Sequence, residues 1–219
     1  MLPFSPEVYL RLLEDYNSTI WPAQIIAAGL GCLALLLIFK PRQGSGRWIA
    51  ALLAGAWVWT GAVYHVMYLA PLNWAAWISG ALFVLQGGLL AWTGAWRGRL
   101  AFRLIHNWRG WIGLLFGGLA LFALPIAGAV TDPGWSRVPV TGLASSPTTL
   151  STLGLLLLVE GRVPIRLLLI PALWSFSAAA TAWQLHLPQD SILPVAAIAA
   201  VGLAFAANRR LANQSARSI

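Results

Sequence analysis

The stretch "WIAALLAGAWVWTGAVYHVMYL", residues 48–69, is apolar for almost its whole length, yet it holds one histidine, His65, near a pair of tyrosines. At a rise of about 1.5 Å per residue it spans roughly 33 Å, enough to cross a hydrocarbon layer of about 30 Å. The stretch therefore reads as a transmembrane helix. Along it, His65 lies about 25 Å from the first end and about 6 Å from the second. A polar ring at that depth is costly unless a neighbouring helix, a ligand or a proton path receives it.

The rest of the chain repeats the pattern. Of its 219 residues, 59% are hydrophobic and 9% charged, with a mean hydropathy of +0.74. A soluble domain carries roughly a quarter charged residues. Lipid must therefore serve as much of the solvent. The net charge of +8 does not point to nucleic acid, because the arginines sit in short clusters between apolar runs rather than on one face. The single cysteine, Cys32, cannot form an intrachain disulfide.

Seven apolar segments emerge: 18–39, 48–69, 74–96, 110–130, a shorter one over 147–159, 165–183 and 192–207. Residues 1–17 carry Val8, Tyr9, Leu12, Leu13 and Tyr16 at helical spacing and read as an amphipathic helix lying in the interface. Residues 18–208 form the transmembrane domain and 209–219 a cytoplasmic tail. With the N-terminus outside, 12 of the 14 basic residues fall inside and five of the six acids outside. The expected architecture is all-α: a seven-transmembrane-helix bundle, N-terminus outside and C-terminus cytoplasmic. The segment Leu100 to Arg109 reads as a cytoplasmic interfacial stretch. The shortest span, the fifth, is the one whose full crossing the orientation most needs.

Ala27 and Gly31, Ala51 and Gly55, and Gly113 and Gly117 repeat a small-x-x-x-small spacing that lets helix backbones approach. Pro125, Pro171 and Pro194 are expected to bend the fourth, sixth and seventh spans. Trp57, Gly61, His65 and Tyr68 share one expected face, with Gly61 leaving room beside the imidazole. Ser79, Gln86 and Thr93 form one stripe, and Trp174, Ser177, Thr181 and Gln184 another. In "SSPTTLST", Ser146 is the expected N-cap and Pro147 the first helical residue, with Thr148, Ser151 and Thr152 on one face. The competing reading of those hydroxyls is that they bond back to their own helix.

These groups predict a polar pocket in the outer half of the bundle. Its ligand-binding candidates are Gln24, Tyr64, His65, Tyr68, Asn73, Gln86, Thr148, Thr149, Ser151 and Gln184, with Ser79, Thr152, Ser177 and Thr181 as further wall. A set of amides, hydroxyls and one imidazole without a carboxylate suits a small neutral or anionic solute. Retinal is excluded, because the only lysine, Lys40, ends the first span. Bis-histidine haem needs two imidazoles on one iron, and His65 and His106 lie at opposite ends. His65, His186 and Asp190 offer three metal ligands without motif spacing. A nucleophile pair of His65 with Ser146 lacks an acidic third member. A single axial haem ligand has nothing to support it, the residues leave any cofactor unknown, and the balance leans against catalysis.

The chain resembles an uncharacterised family of small bacterial polytopic membrane proteins. The resemblance rests on "YNSTIWPAQ" (16–24), "WTGAVYH" with "LNWAAW" (59–77), "LFVLQGGLL" (82–90), "SPTTLSTLGLLLL" (146–158), and "IPALWS" followed by "PQD" (170–190). It implies that Asn17, Gln24, His65, Asn73, Gln86 and Thr148 match the family pattern, and it carries no activity. Relatives often hold cysteine where this chain has Ser146, which argues against thiol chemistry there. The expected function is binding or passage (transport or a channel) of a small solute. The alternative is a non-catalytic subunit of a larger membrane complex, and a membrane-embedded enzyme comes third. The expected partners are the lipid bilayer, such a solute, and a second copy or larger complex.

Overall fold

A computed structural model of the protein describes residues 4–131, 137–185 and 191–217. Eight helices follow one another: α1 Pro6–Thr19, α2 Ala23–Phe39, α3 Ser45–Leu69, α4 Ala76–Trp96, α5 Trp108–Val130, α6 Ser145–Leu157, α7 Arg166–Leu185 and α8 Ile192–Arg217. Among the described residues there is no strand, only isolated bridges between Phe102 and Val159 and between Thr141 and Ala144. Five helices, α3, α4, α5, α7 and α8, are long and apolar enough to cross a membrane. A sixth span arises if α1 and α2, bent by 82° at their junction, count as one.

The boundaries follow local chemistry. Gly44 takes the left-handed φ of +84° that lets the chain turn into α3, and Ser45 Oγ accepts the Arg42 N–H at 2.7 Å. This sets the start of α3 three residues before the apolar run. Asn107 caps α5 by accepting the Gly110 N–H at 3.1 Å. At the other end of the chain, α8 continues through Asn208, Arg209 and Arg210 to Arg217, because arginine favours a helix and does not stop one.

Three helices contain π-helical stretches: Thr60–Leu69 in α3, Ala91–Trp96 in α4 and Leu119–Ala123 in α5. Such stretches widen the turn and re-aim side chains. The last of them immediately precedes Leu124 and Pro125, where an α-turn would lack a backbone donor. Pro194, expected inside a span, instead lies in the first turn of α8, where a missing N–H leaves no helical bond unmade.

The core is organised around α6. Every residue from Ser145 to Leu157 except Ser146 is buried. Its 13 residues give a helix of about 20 Å, short of a full crossing. Beyond it the chain extends and pairs with the segment before α5: Arg103 N–H donates to Leu158 O at 3.0 Å and Glu160 N–H to Ala101 O at 2.7 Å. Arg109 is buried there, donating to Val159 O at 3.0 Å and to Gly161 O at 3.2 Å. Asn208 clasps the same corner, accepting the Val163 N–H and donating to its carbonyl at 2.8 and 2.9 Å.

Close approach between helices uses small residues, though not all the expected ones. A Cβ on Gly154 would meet Gly113 O at 2.6 Å and Gly117 N at 2.8 Å, so α5 and α6 touch backbone to backbone. Ala27, Ala51 and Gly55 line an apolar cleft of about 460 Å3 between α2, α3 and α5, and Gly31 on the same cleft admits Leu121 of α5, whose Cδ1 a Cβ there would meet at 2.5 Å.

Candidate functional site

The C-terminal part of α3 builds the site. Because Thr60–Leu69 is π-helical, the face expected to hold Trp57, Gly61, His65 and Tyr68 is split among different neighbours. Trp57 is fully buried against Phe83, and its indole N–H donates to Thr152 Oγ1 at 2.8 Å. Gly61 leaves no room beside the imidazole: a Cβ there would lie 2.8 Å from Gly80 O and 2.9 Å from Phe83 Cβ. Tyr68 turns to Tyr16, with ring centroids 5.0 Å apart.

His65 is fully buried. Its Nε2 pairs with Ser145 Oγ at 2.9 Å, the first residue of α6. The helix starts two residues earlier than expected, with Ala144 in the cap position, and it is Ser145 that meets the imidazole. Three rings surround it, with centroids 4.7 Å away for Phe83, 4.9 Å for Trp174 and 5.2 Å for Tyr64. Nε2 donates in one tautomer and accepts in the other, which leaves Nδ1 as acceptor or donor respectively. Among the described residues Nδ1 has no hydrogen-bond partner, and neither has the buried indole N–H of Trp174.

Both residues line a cavity of about 130 Å3. Its wall brings together α3 (Tyr64, His65), the α3–α4 turn and α4 (Asn73, Ser79), α6 (Ser145, Ser146) and α7 (Trp174, Ser177, Thr181), with Phe4 and Tyr9 of the α1 segment across the mouth. Tyr9 and Tyr64 join their hydroxyls at 3.1 Å. No carboxylate lines it. A buried site with polar groups and room for more than one water holds a polar occupant in preference to vacuum.

Of the ten expected binding residues, Tyr64, His65 and Asn73 meet in this cavity, as do Ser79, Ser177 and Thr181 from the wider wall. The others lie elsewhere. Gln24 donates to Asn17 O at 2.6 Å at the α1–α2 corner. Gln86 is buried and donates to Leu167 O at 2.9 Å. Thr148 and Thr152 bond back to Ala144 O and Thr148 O at 2.6 and 2.8 Å, and Ser151 to Thr148 O at 2.9 Å. Thr149 is fully buried, and Gln184 is exposed at the end of α7. Among the described residues no cluster of His, Cys, Asp or Glu is placed to hold a metal. His186 and Asp190 lie outside the described residues.

Sequence reasoning missed the clamp formed by α1. Tyr16 is buried, donates to Leu143 O at 2.8 Å and accepts the Trp59 indole N–H at 3.1 Å. Asn17 Nδ2 donates to Val138 O at 3.2 Å. These bonds tie the helix of Tyr9 to the segment that leads into Ser145, and both Tyr9 and Ser145 line the cavity. The signal was the polar tips of Tyr9 and Tyr16 on the apolar face of the expected interfacial helix.

The sequence matches a family model over residues 6–216. The chain belongs to a family of unknown function, DUF6064. No curated protein and no solved structure matches it. Membership in DUF6064 extends over α1 as well as the bundle, so the helix at the cavity mouth belongs to the family's common unit.

Proposed function

We propose that this protein is a multi-pass protein of the bacterial inner membrane that binds a small neutral or anionic solute in the cavity beside His65. The observation that carries the reading is the unpartnered Nδ1 of a fully buried imidazole lining a carboxylate-free polar cavity. Hydroxyls of Ser79, Ser177 and Thr181 and the Asn73 amide complete a wall able to donate and accept. Binding is favoured over passage because the next polar groups along α4 are sealed. Gln86 is engaged by Leu167 O and Thr93 is 3% exposed.

The seven-span bundle with its N-terminus outside is part of the same proposal, the fifth crossing being made by α6 together with the extended residues that follow it. Contacts at the two ends of α6 support it. Ser145 meets His65 near the end of α3, and Val159 meets Phe102 beside Leu100, whose carbonyl abuts Gly46 at the start of α3. The charge bias of the loops supports the direction. Helix α1, bent by 82° from α2, then lies along the outer interface over the cavity.

The test is a thermal-shift panel of small neutral and anionic solutes on detergent-purified protein. A solute present at about 100 times its Kd stabilises by about 2.7 kcal/mol. Thr181→Phe, which fills the cavity, abolishes that shift while the protein remains folded. If no solute shifts the unfolding temperature, or if the shift survives in Thr181→Phe, the reading is wrong.

A further inference from the structure

At the opposite end of α3 from His65 lies a second cavity, of about 290 Å3, whose chemistry is cationic. Arg42, Arg47, Arg97 and Arg103 line it with a single carboxylate, Glu160. That carboxylate reaches only Arg103, at 4.0 Å, and both side chains are more than half exposed. Among the described residues no acidic group pairs with Arg42, Arg47 or Arg97. Three exposed arginines thus border one cavity without an ion-pair partner.

The cavity is built by fixed backbone. Gly98 takes φ +61°, and a Cβ there would meet Arg47 Nε at 2.9 Å, so the Arg47 side chain lies against the bare glycine. A Cβ on Gly46 would collide with the Leu100 carbonyl, which seats the start of α3 on the segment after α4. The Arg97 guanidinium is held over Trp92, 4.5 Å from the ring centroid. The opposite wall is fixed by the backbone bonds of Arg103 and Glu160. Guanidinium forks suit phosphate oxygens, which they engage two at a time.

The neighbouring side chains indicate where such a phosphate comes from. Trp48, Trp92 and Trp96, next to or beneath these arginines, are each more than half exposed. Exposed indoles beside arginines at the end of apolar helices mark the headgroup level of a bilayer. We infer that this arginine-lined cavity holds the phosphate of an anionic lipid headgroup. The inference is independent of the solute cavity, which lies at the other end of α3.

The experiment is native mass spectrometry of the full chain exchanged into mixed micelles with equal phosphatidylglycerol and phosphatidylcholine. The expected result is about a tenfold preference for phosphatidylglycerol in the wild type, consistent with a few arginines near an anionic surface. In Arg47→Gln/Arg97→Gln that preference falls to near parity. In Arg209→Gln/Arg210→Gln, which removes equal charge elsewhere, it stays. Should the first double variant fail to fold, Arg42→Gln/Arg103→Gln takes its place. Equal retention of the two lipids, or equal loss in the Arg209/Arg210 control, overturns the site. Displacement of bound lipid by 1:1 inorganic phosphate, with phosphate itself retained, overturns the lipid assignment.

Discussion

Gln86 and Pro171 make a test of how this bundle handles a missing donor. In α7 the carbonyl of Leu167 would accept the N–H of residue 171, but that residue is proline. Gln86 of α4 supplies the bond instead, donating Nε2 to Leu167 O at 2.9 Å. Gln86 and Leu167 are both fully buried, so water cannot replace the amide. Leaving a buried carbonyl unpaired costs about 1–3 kcal/mol, whereas interhelical bonds in membrane proteins average about 0.6 kcal/mol. Gln86→Leu should therefore cost about 1–2 kcal/mol, nearer the first figure because no second donor is at hand. Pro171→Ala restores the helical N–H, and in that background Gln86→Leu should cost under about 0.5 kcal/mol. The assay is equilibrium unfolding of the four purified proteins in a denaturing-detergent titration, read by tryptophan fluorescence. Additivity of the two substitutions to within about 0.3 kcal/mol would show that Gln86 does not serve the proline's orphaned carbonyl.

Other outcomes follow from the same geometry. Ser145→Ala strands the His65 imidazole and should destabilise by about 1–2 kcal/mol, with most of that loss absent in a His65→Phe background; equal losses in both backgrounds would deny the bond. Arg109→Met removes two bonds to Val159 and Gly161 carbonyls and should cost about 2–4 kcal/mol by the same unfolding assay, while Arg99→Met, on an exposed arginine, should change stability by less than about 0.5 kcal/mol. Gly46→Ala drives a methyl into the Leu100 carbonyl and should lower folded yield strongly, by at least about 2 kcal/mol where stability is measurable. In a Cys32→Ala background, a thiol probe that does not cross membranes should label Ser5→Cys in intact cells and leave Ser215→Cys unlabelled. The reverse pattern, or labelling of both, would overturn the proposed sidedness.

Much of the helical frame was legible because hydropathy alone delimits it. Leu69, Trp96 and Val130 end their helices as the apolar runs do. What hydropathy cannot distinguish is lipid from protein as the apolar surroundings. The run over 147–159 therefore read like the spans that face lipid, whereas α6 is buried on nearly every side. The site was half legible. His65, Tyr64 and the Ser177–Thr181 stripe stood out as polar groups in apolar runs, and they meet. Gln86 and Thr148 stood out equally, but their amide and hydroxyl serve backbone carbonyls, one of them freed by a proline on another helix. Ser145 was missed because the helix begins one residue before the expected cap. The π-helical turn at Thr60–Leu69 has no signature in residue type, yet it decides which neighbour each side chain of that face meets.

The central claim is that a polar molecule sits beside His65. A density map of the purified protein at a resolution that orders water would address it most directly. The account predicts non-protein density in the cavity within about 3 Å of His65 Nδ1, with further contacts to the hydroxyls of Ser177 or Thr181. A collapsed or empty cavity, or an Nδ1 bonded to another side chain of the bundle, would contradict it.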